Sequence, residues 1–145
     1  MMKLSTALNL AIKAHTGQFD KGGQPKLFHA MRVADNFVGD GFLQVVALLH
    51  DVVEDSDYTF EDMTDNGLGE VQLSILKALT HSKDETYFEY IGRVARSPGA
   101  IKIKLADLAD NMNPVRMARA NMNSDSMLKR YRRAVAILAP LDTGV

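Results

Sequence analysis

The sequence predicts an all-α fold, a bundle of about six to eight helices, and three observations support this prediction. Apolar residues recur at intervals of three and four residues through most of the chain, as they do on the buried face of a helix. No segment shows the sustained alternation of apolar and polar residues that is typical of a half-buried strand. The connections between the periodic segments are short. We expect the 145 residues to form one domain, over residues 1–145.

The first two helices are predicted on either side of a glycine-rich loop. Apolar residues at helical spacing predict the first helix over residues 4–15. Residues 16–26 contain several glycines and a proline, which indicates a loop, and Gly22-Gly23 marks its tightest point. The second helix is predicted over residues 27–38, and it carries His29.

A central, mostly apolar helix is predicted over residues 42–54, after the break at Gly39-Asp40-Gly41. Thr59, with Asp62 three residues later, has the spacing of an N-cap and predicts a short helical turn. Further helices are predicted over residues 71–80, 86–96, 100–111 and 126–138.

Composition excludes several classes of protein. There is no cysteine, which rules out disulfides, thiolate metal sites and a cysteine nucleophile. The chain has 17 basic and 18 acidic residues, so no overall field would attract nucleic acid or an anionic membrane. A membrane span needs a run of about eighteen apolar residues, and the sequence contains no such run. We therefore expect a cytoplasmic protein without a nucleic-acid or membrane partner, and the sequence leaves open whether it forms a homo-oligomer.

The segment Leu-Leu-His-Asp-Val-Val-Glu-Asp, residues 48–55, places one histidine and three carboxylates in an apolar stretch. Buried charges are costly unless they are paired or bind a metal ion, so these groups need a common partner. In a continuous helix His50 would lie over Glu54, and Asp51 over Asp55. Imidazole and carboxylate ligands suit Zn, Mn, Fe or a similar divalent ion. Neighbouring residues on a helix point about 100° apart, so such an ion also needs ligands from other helices.

Four residues from three predicted helices make a candidate ligand set: His29, His50, Asp51 and Asp107. Any one of them alone is more easily explained as a packing or surface residue. Their order along the chain is more specific, because a histidine is followed by His-Asp-x-x-Glu-Asp and then by Lys-Leu-Ala-Asp-x-x-x-Asn.

Four motifs carry a resemblance to a known family. They are Ala14-His15-x-Gly17-Gln18-x-x-Lys21, Pro25-x-x-x-His29-x-x-x-Val33-Ala34, Ala47-Leu48-Leu49-His50-Asp51-Val52-Val53-Glu54-Asp55 and Ile103-Lys104-Leu105-Ala106-Asp107-Leu108-x-x-Asn111. Together they resemble the HD-domain metal-dependent phosphohydrolases, and most of all the hydrolase domain of the RelA/SpoT homologue family with its small single-domain relatives. The resemblance covers most of the chain from residue 4 to residue 111.

The resemblance implies an enzyme that removes the 3′-pyrophosphate of the nucleotides ppGpp and pppGpp and returns GDP or GTP. It implies Mn²⁺ as the cofactor, with another divalent ion as an alternative. It further implies roles for particular residues. His29, His50, Asp51 and Asp107 match the metal ligands, Glu54 and Asp55 the catalytic acidic pair, and Lys21, Asn111 and Tyr131 positions of the substrate pocket.

The chain departs from the family pattern at two positions. Asp20 stands where these hydrolases typically carry an arginine that binds the nucleotide, and Lys26 stands where they often carry a tyrosine. An acid in place of an arginine motivates a first alternative, an HD-type nucleotidase or phosphodiesterase acting on another nucleotide. A second alternative is a metal- or nucleotide-binding module without turnover.

Overall fold

The computed structural model describes residues 1–120 and 125–144, and it confirms the all-α class. The helices are α1 Leu4–His15, α2 Lys26–Asp35, α3 Gly41–Leu49, α4 Val52–Asp55, α5 Phe60–Asp65, α6 Glu70–Leu79, α7 Tyr87–Val94, α8 Pro98–Asn111, α9 Pro114–Arg119 and α10 Asp125–Leu138. A short 3₁₀ turn, Ala139–Leu141, follows α10. Within the described residues there is no strand, only an isolated bridge between Phe19 and Pro25. No helix in the described ranges is long and apolar enough to cross a membrane.

Helix α3 lies at the centre of the core, packed against α1, α2, α6 and α8. Six of its nine residues are buried, and these are the apolar residues Leu43, Val45, Val46, Ala47, Leu48 and Leu49. A helix that is apolar on nearly all sides is stable only inside the protein, surrounded by other helices. The carboxyl end of α3 therefore delivers the next two residues, His50 and Asp51, to the interior.

The prediction of one continuous helix over residues 42–54 is wrong, because α3 ends at Leu49 and α4 begins at Val52. The ring of His50 donates from Nδ1 to the carbonyl of Ala47 at 2.7 Å, and the backbone N–H of His50 contacts the same oxygen at 3.4 Å. These local contacts occupy a carbonyl that a continuing α-helix would use one residue later. The helix is interrupted here, and His50 and Asp51 lie between α3 and α4.

Helix α9 was not predicted, although its start carries a recognisable signal. The side chain of Asn113 accepts hydrogen bonds from the backbone N–H groups of Val115 and Arg116, and Pro114 occupies the first turn. Asparagine followed by proline is a typical helix start. With six residues, α9 is too short to show apolar periodicity. The divided central helix and α9 raise the number of helices in the described residues above the six to eight expected, to ten.

Candidate metal centre and its pocket

The structure brings the four predicted ligands together from three places in the chain. His29 comes from α2, His50 and Asp51 from the junction between α3 and α4, and Asp107 from α8. The Nε2 atom of His29 lies 2.9 Å from Oδ1 of Asp107 and 3.8 Å from Oδ2 of Asp51. The Nε2 atom of His50 lies 3.2 Å from Oδ2 of Asp51 and 3.5 Å from Oδ1 of Asp107. We call these four residues the ligand quartet.

Whether the quartet fits a metal ion depends on which ring nitrogen of each histidine carries a proton and which is free to bind the ion. A carbonyl oxygen can only accept, so the contact of His50 with Ala47 places the proton on Nδ1 and leaves a lone pair on Nε2. That Nε2 atom is buried, and its polar neighbours are the carboxylates of Asp51 and Asp107. His29 contacts Oδ2 of Asp110 through Nδ1 at 2.6 Å, which likewise turns the lone pair of Nε2 towards Asp107. Lone pairs and carboxylates that face one another are a donor set for a divalent cation.

Burial and charge act against each other in the quartet. Burial lowers the pKa of His50, but the carboxylates of Asp51 and Asp107 outweigh it and hold that pKa well above its ordinary value. Burial raises the pKa of Asp107, but Lys104 and the two histidines hold it well below its ordinary value. Asp107 is only 5% exposed. The quartet thus keeps both of its carboxylates ionised, which is the form in which they can bind a metal ion.

Glu54 and Asp55, the acidic pair, lie beside the quartet on α4. One carboxylate oxygen from each of Asp51, Glu54 and Asp55 lies within 4.8 Å of the others. Burial raises the pKa of Glu54, and the charges of Asp51 and Asp55 raise it further, against the hydrogen bond from the backbone N–H of His81 at 2.8 Å. A carboxylate with a raised pKa holds a proton more readily, as a general base must.

Asp55 is fixed from two sides. Its carboxylate forms an ion pair with Lys26, one of the two residues that depart from the family pattern. Its backbone carbonyl accepts a hydrogen bond from Nε2 of Gln18 at 2.7 Å, and Oε1 of Gln18 lies 2.9 Å from Nδ1 of His15. His15 is buried. Through Gln18 it is connected to the backbone of Asp55, so a chain of hydrogen bonds runs from His15 to the acidic pair.

A cavity of about 380 Å³ opens in front of the quartet. It is lined by every predicted site residue except His50, which is buried close to the other ligands. The three predicted pocket residues are among them: Lys21 from the loop before α2, Asn111 from the end of α8, and Tyr131 from α10. Asn111 is tied to the quartet, since its Nδ2 donates to Oδ1 of Asp107 at 3.2 Å.

Sequence reasoning missed two residues at this site and left a third undecided. Asp110 lies one turn after Asp107 on α8 and contacts His29. Its position three residues after a predicted ligand could have indicated that it lies near the metal centre. Arg116 lines the cavity from α9, the helix that was not predicted. Lys104, which could equally have faced solvent, is largely buried, and its Nζ lies 2.8 Å from Oδ2 of Asp107.

The loop between α6 and α7 holds Glu54 through His81, and an ion pair fixes this loop. Arg93 contacts the carboxylate of Glu85 at 2.9 and 2.6 Å and donates to the carbonyl of Thr80 at 2.9 Å. A bidentate pair of this kind is stronger than most ion pairs near the surface. The hydrogen bond from Arg93 lowers the pKa of Glu85 to about 2.

Replacing Glu85 with glutamine is expected to destabilise the protein in a pH-dependent way. Because the folded state lowers this pKa, the ion pair contributes its full stability above the ordinary pKa of 4.5 and loses it as the pH falls towards 2. The melting temperature of E85Q should therefore lie below that of the wild type at neutral pH, and the gap should narrow as the pH is lowered through this range. Thermal unfolding at a series of pH values measures the gap.

The matched control for this prediction is Glu61→Gln, at an exposed glutamate in the first turn of α5. E61Q should stay close to the wild type at neutral pH. A gap between E85Q and the wild type that stays constant across the acidic range would show that the ion pair is not its cause.

The fold and the site together define a class, all-helical proteins in which two histidines and an aspartate that could hold a metal ion lie close together beside a pocket. No family model matches the chain. A probable GTP pyrophosphokinase of Mycobacterium leprae is 29% identical over 93% of this chain and 18% of its own length. The guanosine-3′,5′-bis(diphosphate) 3′-pyrophosphohydrolase of Aquifex aeolicus is 27% identical over 96% of this chain and 21% of its own length.

The bifunctional (p)ppGpp synthase/hydrolase SpoT of Escherichia coli is 26% identical over 96% of this chain and 21% of its own length. A solved structure, described as a metazoan orthologue of SpoT that hydrolyses ppGpp, superposes with a TM-score of 0.81 at 25% identity, over 99% of this chain and 89% of that one. The homologues of this chain are thus members of the RelA/SpoT family, as the sequence motifs predicted. The chain spans about a fifth of the length of these curated relatives.

Proposed function

We propose that this chain is a single HD-type phosphohydrolase domain, over residues 1–145, that removes the 3′-pyrophosphate of (p)ppGpp. One observation carries the proposal: the ligand quartet converges beside a pocket, and the acidic pair lies next to it. The substrate rests on the relatives, because the Aquifex protein is named for this reaction and the metazoan protein is described as hydrolysing ppGpp.

We propose Mn²⁺ as the cofactor, held by the ligand quartet. A set of two imidazoles and two carboxylates suits Mn²⁺ and leaves room for another divalent ion, whereas a purely structural zinc site would use thiolates or more histidines. When bound, such an ion lowers the pKa of a water ligand and neutralises charge on phosphate oxygens. Lys104 supports the arrangement by holding Oδ2 of Asp107, so that Oδ1 faces the histidines.

Glu54 is the residue that we propose to accept the proton of the attacking water. Its raised pKa suits a general base at neutral pH, and the backbone N–H of His81 fixes its carboxylate. In the reaction the bond between the 3′ oxygen and its phosphorus breaks. The water supplies hydroxide to the phosphorus, and the 3′ oxygen leaves with a proton. One water is consumed, and ppGpp gives GDP and pyrophosphate.

The cavity lining contains three lysines, Lys21, Lys26 and Lys104, which could contact the phosphates of a polyphosphate substrate. It also contains five carboxylates, and Lys26 and Lys104 are each paired with one of them. We propose that Asp55 holds the proton of the leaving group or contacts the substrate, and its ion pair with Lys26 supports this role by fixing the carboxylate. We propose that Lys21, Asn111 and Tyr131 contact the nucleotide, because they lie around the same cavity as the quartet.

Asp20 favours a second candidate, an HD-type hydrolase of another nucleotide. In place of the arginine typical of the family, the cavity has an acidic side chain at this position, with Arg116 beside it from another helix. Such a change at a rim that contacts the nucleotide can alter which base or phosphate is accepted.

The two candidates are separated by an end-point assay of the purified protein with Mn²⁺, offering ppGpp beside GTP, deoxynucleoside monophosphates and a generic phosphodiester. Chromatography identifies the products, and a sample stripped of metal with EDTA is the control. We expect GDP and pyrophosphate from ppGpp, and only in the presence of metal. Turnover of another nucleotide but not of ppGpp would support the second candidate. Binding without any product would support a module without turnover.

A further inference from the structure

Four charged side chains connect the back of the metal ligand His29 with the loop at the pocket, and none of them has a role in the proposed reaction. Asp110 lies at the centre of this network. Its Oδ1 accepts from Nε of Arg32 at 2.8 Å, and its Oδ2 lies 2.6 Å from Nδ1 of His29 and 2.9 Å from Nη1 of Arg116. Nη2 of Arg116 in turn lies 3.3 Å from Oδ2 of Asp20.

Asp110 determines which ring nitrogen of His29 is available to a metal ion. An ionised carboxylate only accepts, so it holds the proton of His29 on Nδ1 and leaves Nε2 for the metal. The two arginines on Asp110 fix its position, and the Asp110 side chain is only 11% exposed. Asp110 therefore fixes both the tautomer and the direction of the ring.

Arg116 extends this network from α8 to the pocket. Besides its contact with the Asp110 carboxylate, Nη1 donates to the backbone carbonyl of Asp110 at 3.2 Å and to Oδ1 of Asn111 at 3.0 Å. A planar guanidinium that is bound at both of its terminal nitrogens has little freedom to rotate. Movement at one end of Arg116 is therefore transmitted to the other end.

Asp20 anchors the loop before α2, residues 16–25, which we call the pocket loop. Its Oδ1 accepts from the backbone N–H groups of Gly22 and Gln24, each at 2.9 Å, while its Oδ2 faces Arg116. The pocket loop also packs tightly against α9, since a Cβ added at Gly22 would lie 3.0 Å from Cβ of Arg119. The shape of the pocket loop thus depends on the side chain that Arg116 holds.

We propose that Asp110 is a positioning residue for His29, and that Arg116 couples Asp110 to Asp20 so that the metal centre and the pocket loop favour one common arrangement. The proposal takes the metal centre from the proposed function but does not depend on the substrate. Because coupling between two sites is reciprocal, a ligand that orders the pocket loop would also strengthen metal binding.

The first test is the affinity for Mn²⁺ alone, measured by isothermal titration calorimetry on the full chain. We expect Asp110→Ala to raise the Kd for Mn²⁺ by about 10- to 100-fold, the usual cost of losing such a partner of a ligating histidine. Asp110→Asn keeps an acceptor for Nδ1 of His29 and should recover most of the affinity, leaving a rise of about threefold because a neutral acceptor is weaker. Thermal unfolding of each variant in EDTA, measured alongside, shows whether a change in Kd comes from the metal site or from a general loss of structure.

The coupling is tested by a double-mutant cycle on the same Kd. Asp20→Asn should raise the Kd about threefold, although Asp20 does not contact the quartet, because Arg116 loses its anchor and keeps an uncompensated charge near the metal centre. In a background that carries Arg116→Gln, the same change should have no effect. The matched control background is Arg119→Gln, an exposed arginine on the same helix, in which the threefold effect should persist.

Each outcome decides the proposal. An Asp110→Ala variant with the wild-type Kd overturns the positioning role, and if that variant does not fold, a rise of about tenfold or more in Asp110→Asn, which keeps the acceptor, does so. An Asp20→Asn effect of equal size with and without Arg116 overturns the coupling. A wild-type chain that binds Mn²⁺ but does not hydrolyse ppGpp contradicts the proposed function and leaves these comparisons valid, whereas a wild-type chain that binds no Mn²⁺ overturns both.

Discussion

Replacing His50 with alanine is expected to abolish both the binding of Mn²⁺ and the hydrolysis of ppGpp. The Nε2 atom of His50 is buried and faces the carboxylates of Asp51 at 3.2 Å and Asp107 at 3.5 Å, where it could bind an ion held between them. Alanine removes this ligand and leaves Asp51 and Asp107 without the histidine that lies between them. Three ligands that were positioned for a fourth bind a metal ion much more weakly.

Calorimetry with Mn²⁺ and the chromatographic assay measure the two losses. The matched control for metal binding is His81→Ala, because the ring of His81 contacts the carbonyl of Glu85 and not the quartet. H81A should bind Mn²⁺ like the wild type. Circular dichroism in EDTA shows whether H50A is folded. Full hydrolysis by folded H50A would refute the metal centre as we assign it.

Replacing Glu54 with glutamine is expected to lower kcat by about 10²- to 10⁴-fold while the Kd for Mn²⁺ changes little. Glutamine keeps the size of the side chain and an oxygen that can accept from the backbone N–H of His81, but it cannot take a proton. Glu54 is also not a member of the quartet, so the metal ligands remain complete. A loss of turnover without a loss of metal is the signature of a general base.

Steady-state kinetics and calorimetry on the same preparation separate these two effects. Glu61→Gln, an exposed glutamate on α5, is the matched control and should keep the wild-type kcat. If E54Q lost Mn²⁺ and activity in parallel, Glu54 would have to be counted among the metal ligands. If E54Q kept the wild-type kcat, another residue would have to accept the proton.

Local sequence patterns predicted the helices well where apolar residues recur over several turns, and failed where a single side chain determines where a helix ends. Residues 4–15 were predicted as a helix with the bounds that α1 has. The end of α3 at Leu49 could not be predicted in this way, because the ring of His50 contacts the carbonyl of Ala47, a contact that leaves no periodic signal.

The candidate site shows the same division between motif and context. The ligand quartet could be proposed from the order of His, Asp and Glu residues along the chain, and the structure places these residues together. Asp110 and Arg116 could not be assigned, because their meaning depends on contacts with His29 and Asp20, which lie 81 and 96 positions away in sequence. Long-range ion pairs leave no periodic or motif signal in a single sequence.

Because the quartet forms only in the folded protein, we expect metal binding to stabilise the fold and to lengthen the lifetime of the protein. A ligand that binds only the folded state stabilises it by about 2.7 kcal/mol when its concentration is a hundred times the Kd. Without the ion, the fold lacks this contribution. In a metal-poor environment a larger fraction of chains would therefore be unfolded and open to proteolysis, so metal availability would regulate the amount of the protein as well as its activity.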